Sequence, residues 1–233
     1  MGPLISRLRK KSDPDLMPSG LKGEALEVIL GLSFINIAAV DVRRGEVELL
    51  IWQTISWRDP DLAWWPFENY NVTSVKLPTR YLWTPDIAVF NGASPVEEIS
   101  PLLASVESDG SVTLLPSVRM RVLCDASDMS SEEGVDGKVT CVLRLGSWTY
   151  NAGLLTLAEP DDQTLDTSGF FQGSQYELLH AEVHKNVALY ACCSEPFEDM
   201  QFFFTFRRKP QMFPWRDEDY LNEQVHSKTR FGS

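Results

Sequence analysis

The chain has 233 residues, 43% hydrophobic and 23% charged, ordinary values for a globular protein, which exclude overall disorder. Its 21 basic and 33 acidic residues leave a net charge of −12. That balance argues against nucleic acid or an anionic membrane surface and suits a cationic ligand.

From the N-terminus, residues 3–11 read as a short amphipathic helix, Leu4, Ile5 and Leu8 opposite Arg7, Lys10 and Lys11, ended by Pro14 and Pro18. The basic start lacks the apolar core of a signal peptide, and no run reaches the roughly 18 apolar residues of a membrane helix. The chain is therefore expected not to span a bilayer, and to be either cytosolic or a mature extracellular form. Thereafter the dominant period is two. Val47, Leu49, Ile51, Ile55 and Trp57 share a face interrupted by Gln53, against Glu48, Leu50, Trp52, Thr54 and Ser56. Residues 112–124 read as another strand, Val112, Leu114, Val118, Met120 and Val122 against Thr113, Leu115, Arg119 and Arg121. Residues 176–191 and 200–208 are two more, the second with Phe202, Phe204 and Phe206 on one face. Turn-rich connections without a long helical period predict an all-β, immunoglobulin-like antiparallel sandwich. Alternation stops near Pro210, so one domain is expected over 1–210, followed by a partly ordered tail, 211–233.

Four cysteines allow three pairings. Cys124 and Cys141 enclose the polar stretch DASDMSSEEGVDGKVT, at the edges of strand-like runs, as a staple between neighbouring strands would. Cys192 and Cys193 are adjacent, and neither spacing fits a two-pair zinc site. The even count, with the sequon Asn71-Val72-Thr73 as a candidate glycosylation site, points to a secreted protein. A ring closed by adjacent cysteines is too small to add much chain-entropy stabilisation and is better suited to shaping a hairpin tip.

Signals for catalysis are missing. The sequence contains no Gly-x-Ser-x-Gly elbow, no phosphate-cradling glycine loop and no His-Glu-x-x-His, so no enzyme activity, cofactor or metal is expected. The three histidines are His180, His184 and His226; the first two share a strand face about 13 Å apart, too far to hold one metal. Asp125, Asp128, Glu132, Glu133 and Asp136 lack the spacing of a calcium loop and read as a solvated acidic loop.

Aromatic residues are abundant: seven Trp, six Tyr and twelve Phe. Most belong in a core. Trp52, however, lies on the polar face of its strand, Trp148 follows Gly146-Ser147 where a strand gives way to a loop, and Tyr190 and Phe197 flank the adjacent cysteines. Rings gathered at such a tip form a cage for a quaternary ammonium, each contact worth about 0.5–2 kcal/mol.

Together these motifs resemble the extracellular ligand-binding domain of the Cys-loop (nicotinic-type) receptors, and especially its soluble acetylcholine-binding relatives. The residues carrying the resemblance are Trp52-Gln53 with Ser56-Trp57, Trp83-Thr84-Pro85-Asp86 with Phe90-Asn91, and Ser108-Asp109-Gly110 to Leu115-Pro116. Cys124 to Cys141, Gly146 to Tyr150, and Tyr190-x-Cys192-Cys193-x-x-Pro196-Phe197 complete the set, in family order up to about Arg208. The resemblance implies a ring homopentamer with a site at each subunit interface, taking acetylcholine, nicotine or related cations. It maps Phe90, Trp148, Thr149, Tyr190, Cys192, Cys193 and Phe197 onto the principal face, and Trp52, Ser105, Thr113 and Leu115 onto the complementary face. By parity, the last three share a face if residues 105–115 form a hairpin. The resemblance further implies disulfides Cys124–Cys141 and Cys192–Cys193.

Three departures bear on function. Phe90 and Phe197 stand where the family usually has tyrosine, removing two hydroxyls worth about 0.5–1.5 kcal/mol each if hydrogen-bonded. The loop after Cys124 is longer and more polar than in channel subunits and lacks their Phe-Pro-Phe tip. The chain also stops soon after Arg207-Arg208, where a channel enters its first membrane helix. These features lead to the expectation of a soluble, secreted binding protein rather than an excised channel domain. A secreted sandwich hydrolase and a structural adhesion domain are the alternatives from other classes.

Overall fold

The structure is a computed structural model that describes residues 2–18, 24–124, 138–160, 165–171 and 175–209. The expected tail 211–233, the acidic loop 125–136 and His226 lie outside the described residues.

Helix α1 (Gly2–Lys11) buries Leu4 and Leu8, one helical turn apart, and its last turn carries Arg9, Lys10 and Lys11, which favour the negative end of the helix dipole. Strand β1 (Leu26–Asp41) pairs antiparallel along nearly its whole length with β2 (Glu46–Arg58). The β2 face read from the sequence is the buried one, Gln53 included at 8% exposure, while Trp52 is 54% exposed. Short strands β3 (Ser74–Pro78), β4 (Ile87–Val89) and β5 (Glu97–Glu98) precede the hairpin of β6 (Leu103–Glu107) and β7 (Ser111–Leu114). Gly110 turns that hairpin at φ 90°, where an added Cβ would lie 2.4 Å from the Asp59 carbonyl oxygen. Strand β8 (Ser117–Leu123) follows. The run expected as one strand over 112–124 is thus two, broken at Leu115-Pro116. Proline has no N–H for the ladder; its carbonyl instead accepts from the Gln53 amide at 2.9 Å. Both pieces still lie antiparallel to β2.

Strands β9 (Lys138–Ser147), β10 (Leu155–Ala158), β11 (Leu165–Asp166), β12 (Tyr176–Ala188) and β13 (Phe197–Arg208) complete the chain. One sheet runs β10-β1-β2-β7-β6-β3 with β5, β8 and β11 attached; the other runs β12-β13-β9-β4. The expected all-β sandwich is correct, and its pairing is antiparallel except where β10 and β11 join β1 in parallel. The two sheets meet through Phe34 of β1 and Phe204 of β13, ring centroids 5.1 Å apart. Phe202, Phe204 and Phe206 are 0–1% exposed, each contributing about 2–3 kcal/mol by burial.

One covalent and one polar tie also cross between the sheets. Cys124, just after β8, is bonded to Cys141, which is buried inside β9 rather than at a strand edge. That staple joins facing sheets, not neighbouring strands of one sheet. Glu198 of β13 accepts from the Leu157 amide of β10 at 2.7 Å and pairs with Lys185 at 2.8 Å, while Lys185 Nζ also donates to the Leu157 carbonyl. No described helix is long and apolar enough to cross a membrane.

Candidate ligand site

The loops at the end of β4 and β9 meet beside the β12–β13 hairpin tip, and there the structure brings together most of the expected principal-face residues. Phe90, Trp148, Tyr190, Phe197, Cys192 and Cys193 line one open cavity of about 450 Å3, together with Arg144 and Ser147. Phe90 and Trp148 meet edge-to-face with centroids 6.0 Å apart, and Tyr190 and Phe197 do so at 6.2 Å. Trp148 keeps 71% of its surface exposed and Tyr190 38%, so their rings remain open to a ligand. Cys192 and Cys193 form the adjacent disulfide, and the turn is closed by the Cys193 amide donating to the Tyr190 carbonyl at 3.0 Å.

Trp148 is held by its neighbours rather than by its own packing. Asp86 Oδ1 accepts from Ser147 Oγ at 2.6 Å, its Oδ2 accepts from the Thr149 amide at 2.7 Å, and its carbonyl accepts from the Trp148 amide at 3.3 Å. Ser147 Oγ in turn accepts from the Tyr150 amide, and Tyr150 meets Trp83 edge-to-face. The segment Trp83–Asp86 is therefore the clamp for the segment Gly146–Tyr150. Thr149 belongs to this clamp and does not line the cavity. On the other flank, Asn91 fixes Phe90 by donating to the Leu123 and Val142 carbonyls and accepting from the Arg144 amide. Phe90 lies so close to β9 that a Cβ on Gly146 would sit 2.9 Å from its ring tip and 2.6 Å from the Glu198 carbonyl oxygen.

Arg144 and Asp199 were not singled out by the sequence reading. Asp199 is 1% exposed and accepts Arg144 Nε at 3.0 Å and Nη2 at 3.1 Å, Asn186 Nδ2 at 2.7 Å and Gln201 Nε2 at 3.1 Å. Burial opposes its ionisation, but these hydrogen bonds and the Arg144 charge outweigh burial and hold its carboxyl below the ordinary range. The bidentate bond to Asp199, opposed by burial, pushes the Arg144 guanidinium up. Arg144 also donates to the Tyr190 hydroxyl at 3.4 Å and stands 5.7 Å from the Phe90 centroid. Its place between the buried neighbours Leu143 and Leu145 marks only an outward strand residue; nothing local predicts its partners.

The expected complementary residues lie elsewhere in the subunit, on the outward face of the larger sheet. Ser105 and Thr113 are direct partners in the β6–β7 hairpin, and Thr113 accepts from Ser56 Oγ at 3.0 Å. Trp52 of β2 is 54% exposed, and Leu115, in the break between β7 and β8, is 65% exposed. None of these four lines the ring-walled cavity.

His180 and His184 are exposed, and both reach the intervening Glu182, each Nε2 being 3.5 Å from one of its carboxylate oxygens. Those hydrogen bonds, His180 first, lower the Glu182 pKa. Among the described residues no group of three metal-ligating side chains is arranged to hold an ion.

A two-sheet sandwich whose ring-lined cleft is capped by a vicinal disulfide is the frame of a small-molecule-binding domain. The sequence profile of the neurotransmitter-gated ion-channel ligand binding domain matches residues 2–210, and the chain belongs to that family. It is 27% identical over 189 residues to the neuronal acetylcholine receptor subunit alpha-2 of Rattus norvegicus, covering 80% of this chain and 36% of the receptor subunit. It is 28% identical over 215 residues to the acetylcholine receptor subunit alpha-like of Manduca sexta, covering 88% and 40%. The alpha-4 subunit of Mustela putorius furo is 28% identical, covering 80% and 29%. The chain thus spans well under half the length of these relatives.

Proposed function

We propose that this chain is a secreted binding protein for acetylcholine, nicotine and related organic cations, acting without catalysis or ion conduction. The observation that carries this reading is the cavity walled by Phe90, Trp148, Tyr190 and Phe197 under the Cys192–Cys193 cap. Four rings around one space suit a quaternary ammonium, whose charge is attracted to ring faces at about 0.5–2 kcal/mol per contact. The open side is closed by Trp52, Ser105, Thr113 and Leu115 of a second copy in a homopentamer; these residues are exposed or half-buried in the single subunit. Trp148 offers its ring face and backbone carbonyl to the cation. Trp52 closes the cage from the neighbouring copy, while Thr113 and Leu115 meet the acceptor end of the ligand. The Arg144 charge is balanced by Asp199 and occupies one side of Phe90, so Trp148, Tyr190 and Phe197 bear most of the cation attraction.

The domain reading is residues 1–210 as the binding domain, with 211–233 as a separate tail. The polar character of the segment between Cys124 and Cys141 favours the soluble form. A second reading, the extracellular domain of a ligand-gated channel subunit, is favoured by the greater length of the receptor relatives. A full transcript encoding four long apolar segments after residue 210 would decide for it.

The test is a nicotine titration followed by tryptophan emission, with the assembly mass measured alongside. Five chains of 26.3 kDa give a particle of about 130 kDa. Saturable emission change in that particle, lost in Trp148→Ala, supports the cage. No change up to millimolar nicotine overturns the ligand reading.

A further inference from the structure

The inward face of β2 carries one polar side chain that the ligand site does not use. Gln53 interrupts the apolar run of Val47, Leu49, Ile51, Ile55 and Trp57, yet it is only 8% exposed. Its backbone amide is engaged, donating to the Pro116 carbonyl at 2.9 Å. Its side-chain amide has no hydrogen-bond partner among the described residues. Burying an amide unpaired costs stability, which sets Gln53 apart from an ordinary core residue.

The break at Leu115-Pro116 explains its place. Strand β2 pairs with β8 as far as Trp52, opposite Ser117, and with β7 from Ile55, opposite Leu114. Gln53 therefore falls at the gap in the ladder, and there it lines a cavity of about 420 Å3 between the two sheets. Ile55, Leu114 and Val118 of the larger sheet form one wall, and Ile87 and Val89 of β4 the other. Both β4 residues are only half-buried, so the sheets do not close on each other here. Thr79 and Thr84 add hydroxyls, while Val96 and Glu98, both exposed, mark the open side. No residue lines both this cavity and the ring-walled one: Val89 belongs to the first, and Phe90, the next residue, to the second.

The chemistry of the two cavities differs as well. None of the described residues lining the one at Gln53 is aromatic, so a quaternary ammonium finds no ring faces there. Glu98 is the one charged residue among them, and it is exposed at the mouth. An ion drawn further in loses its hydration with no counter-charge to replace it. The Gln53 amide, by contrast, both donates and accepts. We propose that this cavity is a second ligand site, taking a compact uncharged molecule with an apolar body and an amide head that pairs with the Gln53 side chain. Its volume lies in the range of small-molecule pockets, and its mostly aliphatic walls with a few polar groups are their usual lining. Binding here does not depend on the cation reading of the other site.

The experiment titrates the full chain with benzamide, followed by saturation-transfer NMR. Benzamide should bind saturably below about 10 mM, the range open to a ligand of so few atoms, and equally in Trp148→Ala. Benzoate, which is charged, and toluene, which lacks the head group, should each bind about tenfold more weakly or worse. Benzamide should lose as much on Gln53→Leu, and Val96→Trp, at the exposed mouth, should block it. Gln53→Leu should melt no lower than the native protein, because it gives up no side-chain hydrogen bond in the fold. Absence of saturation, loss of benzamide binding in Trp148→Ala, or undiminished binding by Gln53→Leu overturns the proposal. A lowered melting temperature in Gln53→Leu does so too, since it would make Gln53 a structural residue.

Discussion

Removing Arg144 tests whether the floor of the cavity is an electrostatic brace. In Arg144→Leu, Asp199 loses two of the four hydrogen bonds it makes among the described residues, and its cationic partner with them, and keeps Asn186 and Gln201. Breaking a buried pair by removing one partner costs about 3–5 kcal/mol, because the other charge stays buried. Arg144 is 31% exposed, so water refills part of its place and about 2–3 kcal/mol is the better expectation. Urea unfolding at fixed protein concentration reads the loss, since assembly couples stability to concentration.

The pH dependence gives the sharper test. In the native protein the Asp199 pKa lies below its ordinary 3.8, so its contribution to stability is complete above that value and is lost as pH falls through the lower, folded-state value. In Arg144→Leu burial dominates, the folded-state pKa moves above the unfolded one, and the destabilisation present at pH 7 fades on acidification. The gap between the two proteins should therefore narrow from pH 7 towards about pH 4. Arg144→Leu/Asp199→Asn should recover much of the stability at neutral pH. A gap under about 0.5 kcal/mol at pH 7, or one equally large under acid, refutes the brace.

Gly146→Ala should cost about 1–3 kcal/mol and weaken nicotine binding, because its Cβ meets the Glu198 carbonyl and the Phe90 ring tip; wild-type affinity and stability would refute this. Loss of the Cys124–Cys141 bond in the double alanine variant should cost about 3 kcal/mol in denaturant, since it releases a loop of some 17 residues between sheets. The Cys192–Cys193 bond closes almost no loop, so Cys192→Ala/Cys193→Ala should lose ligand affinity with little change in the unfolding midpoint. Phe90→Tyr/Phe197→Tyr should bind nicotine more tightly, by about 2–12-fold per hydroxyl that finds a partner, and calorimetric titration giving equal or weaker binding would contradict it.

The layers of the sandwich were legible because period-two burial is written directly into β2 and β13. Strand β1 escaped that reading although Leu26, Val28, Leu30, Leu32 and Phe34 alternate inward, because the register then shifts between Phe34 and Asn36 and Ile37 takes over the inward position. Pro116 divided the 112–124 run for a reason the proline itself announces. Cys141 shows the opposite limit. Strand edges and loop spacing give a partner for it but not the fact that the partner lies in the opposing sheet.

The site divides along the same line. Rings announce themselves as residues in odd places, so Trp148, Tyr190 and Phe197, which line the cavity, were readable. What holds them was not, because each brace joins residues far apart in the chain by hydrogen bonds that leave no periodic trace: Asp86 to Ser147 and Thr149, Asn91 to Val142, Arg144 to Asp199. Asp199 is the clearest case. It follows Glu198 in an alternating strand and reads as solvent-facing, yet it is 1% exposed because Arg144, Asn186 and Gln201 enclose it. A ring surface 71% exposed on Trp148 has little packing of its own to fix it, so its position is set by these buried polar braces. It follows that Asp86→Ala, although Asp86 does not line the cavity, should diminish the nicotine-induced change in tryptophan emission more than trimming an exposed neighbour such as Thr149 does.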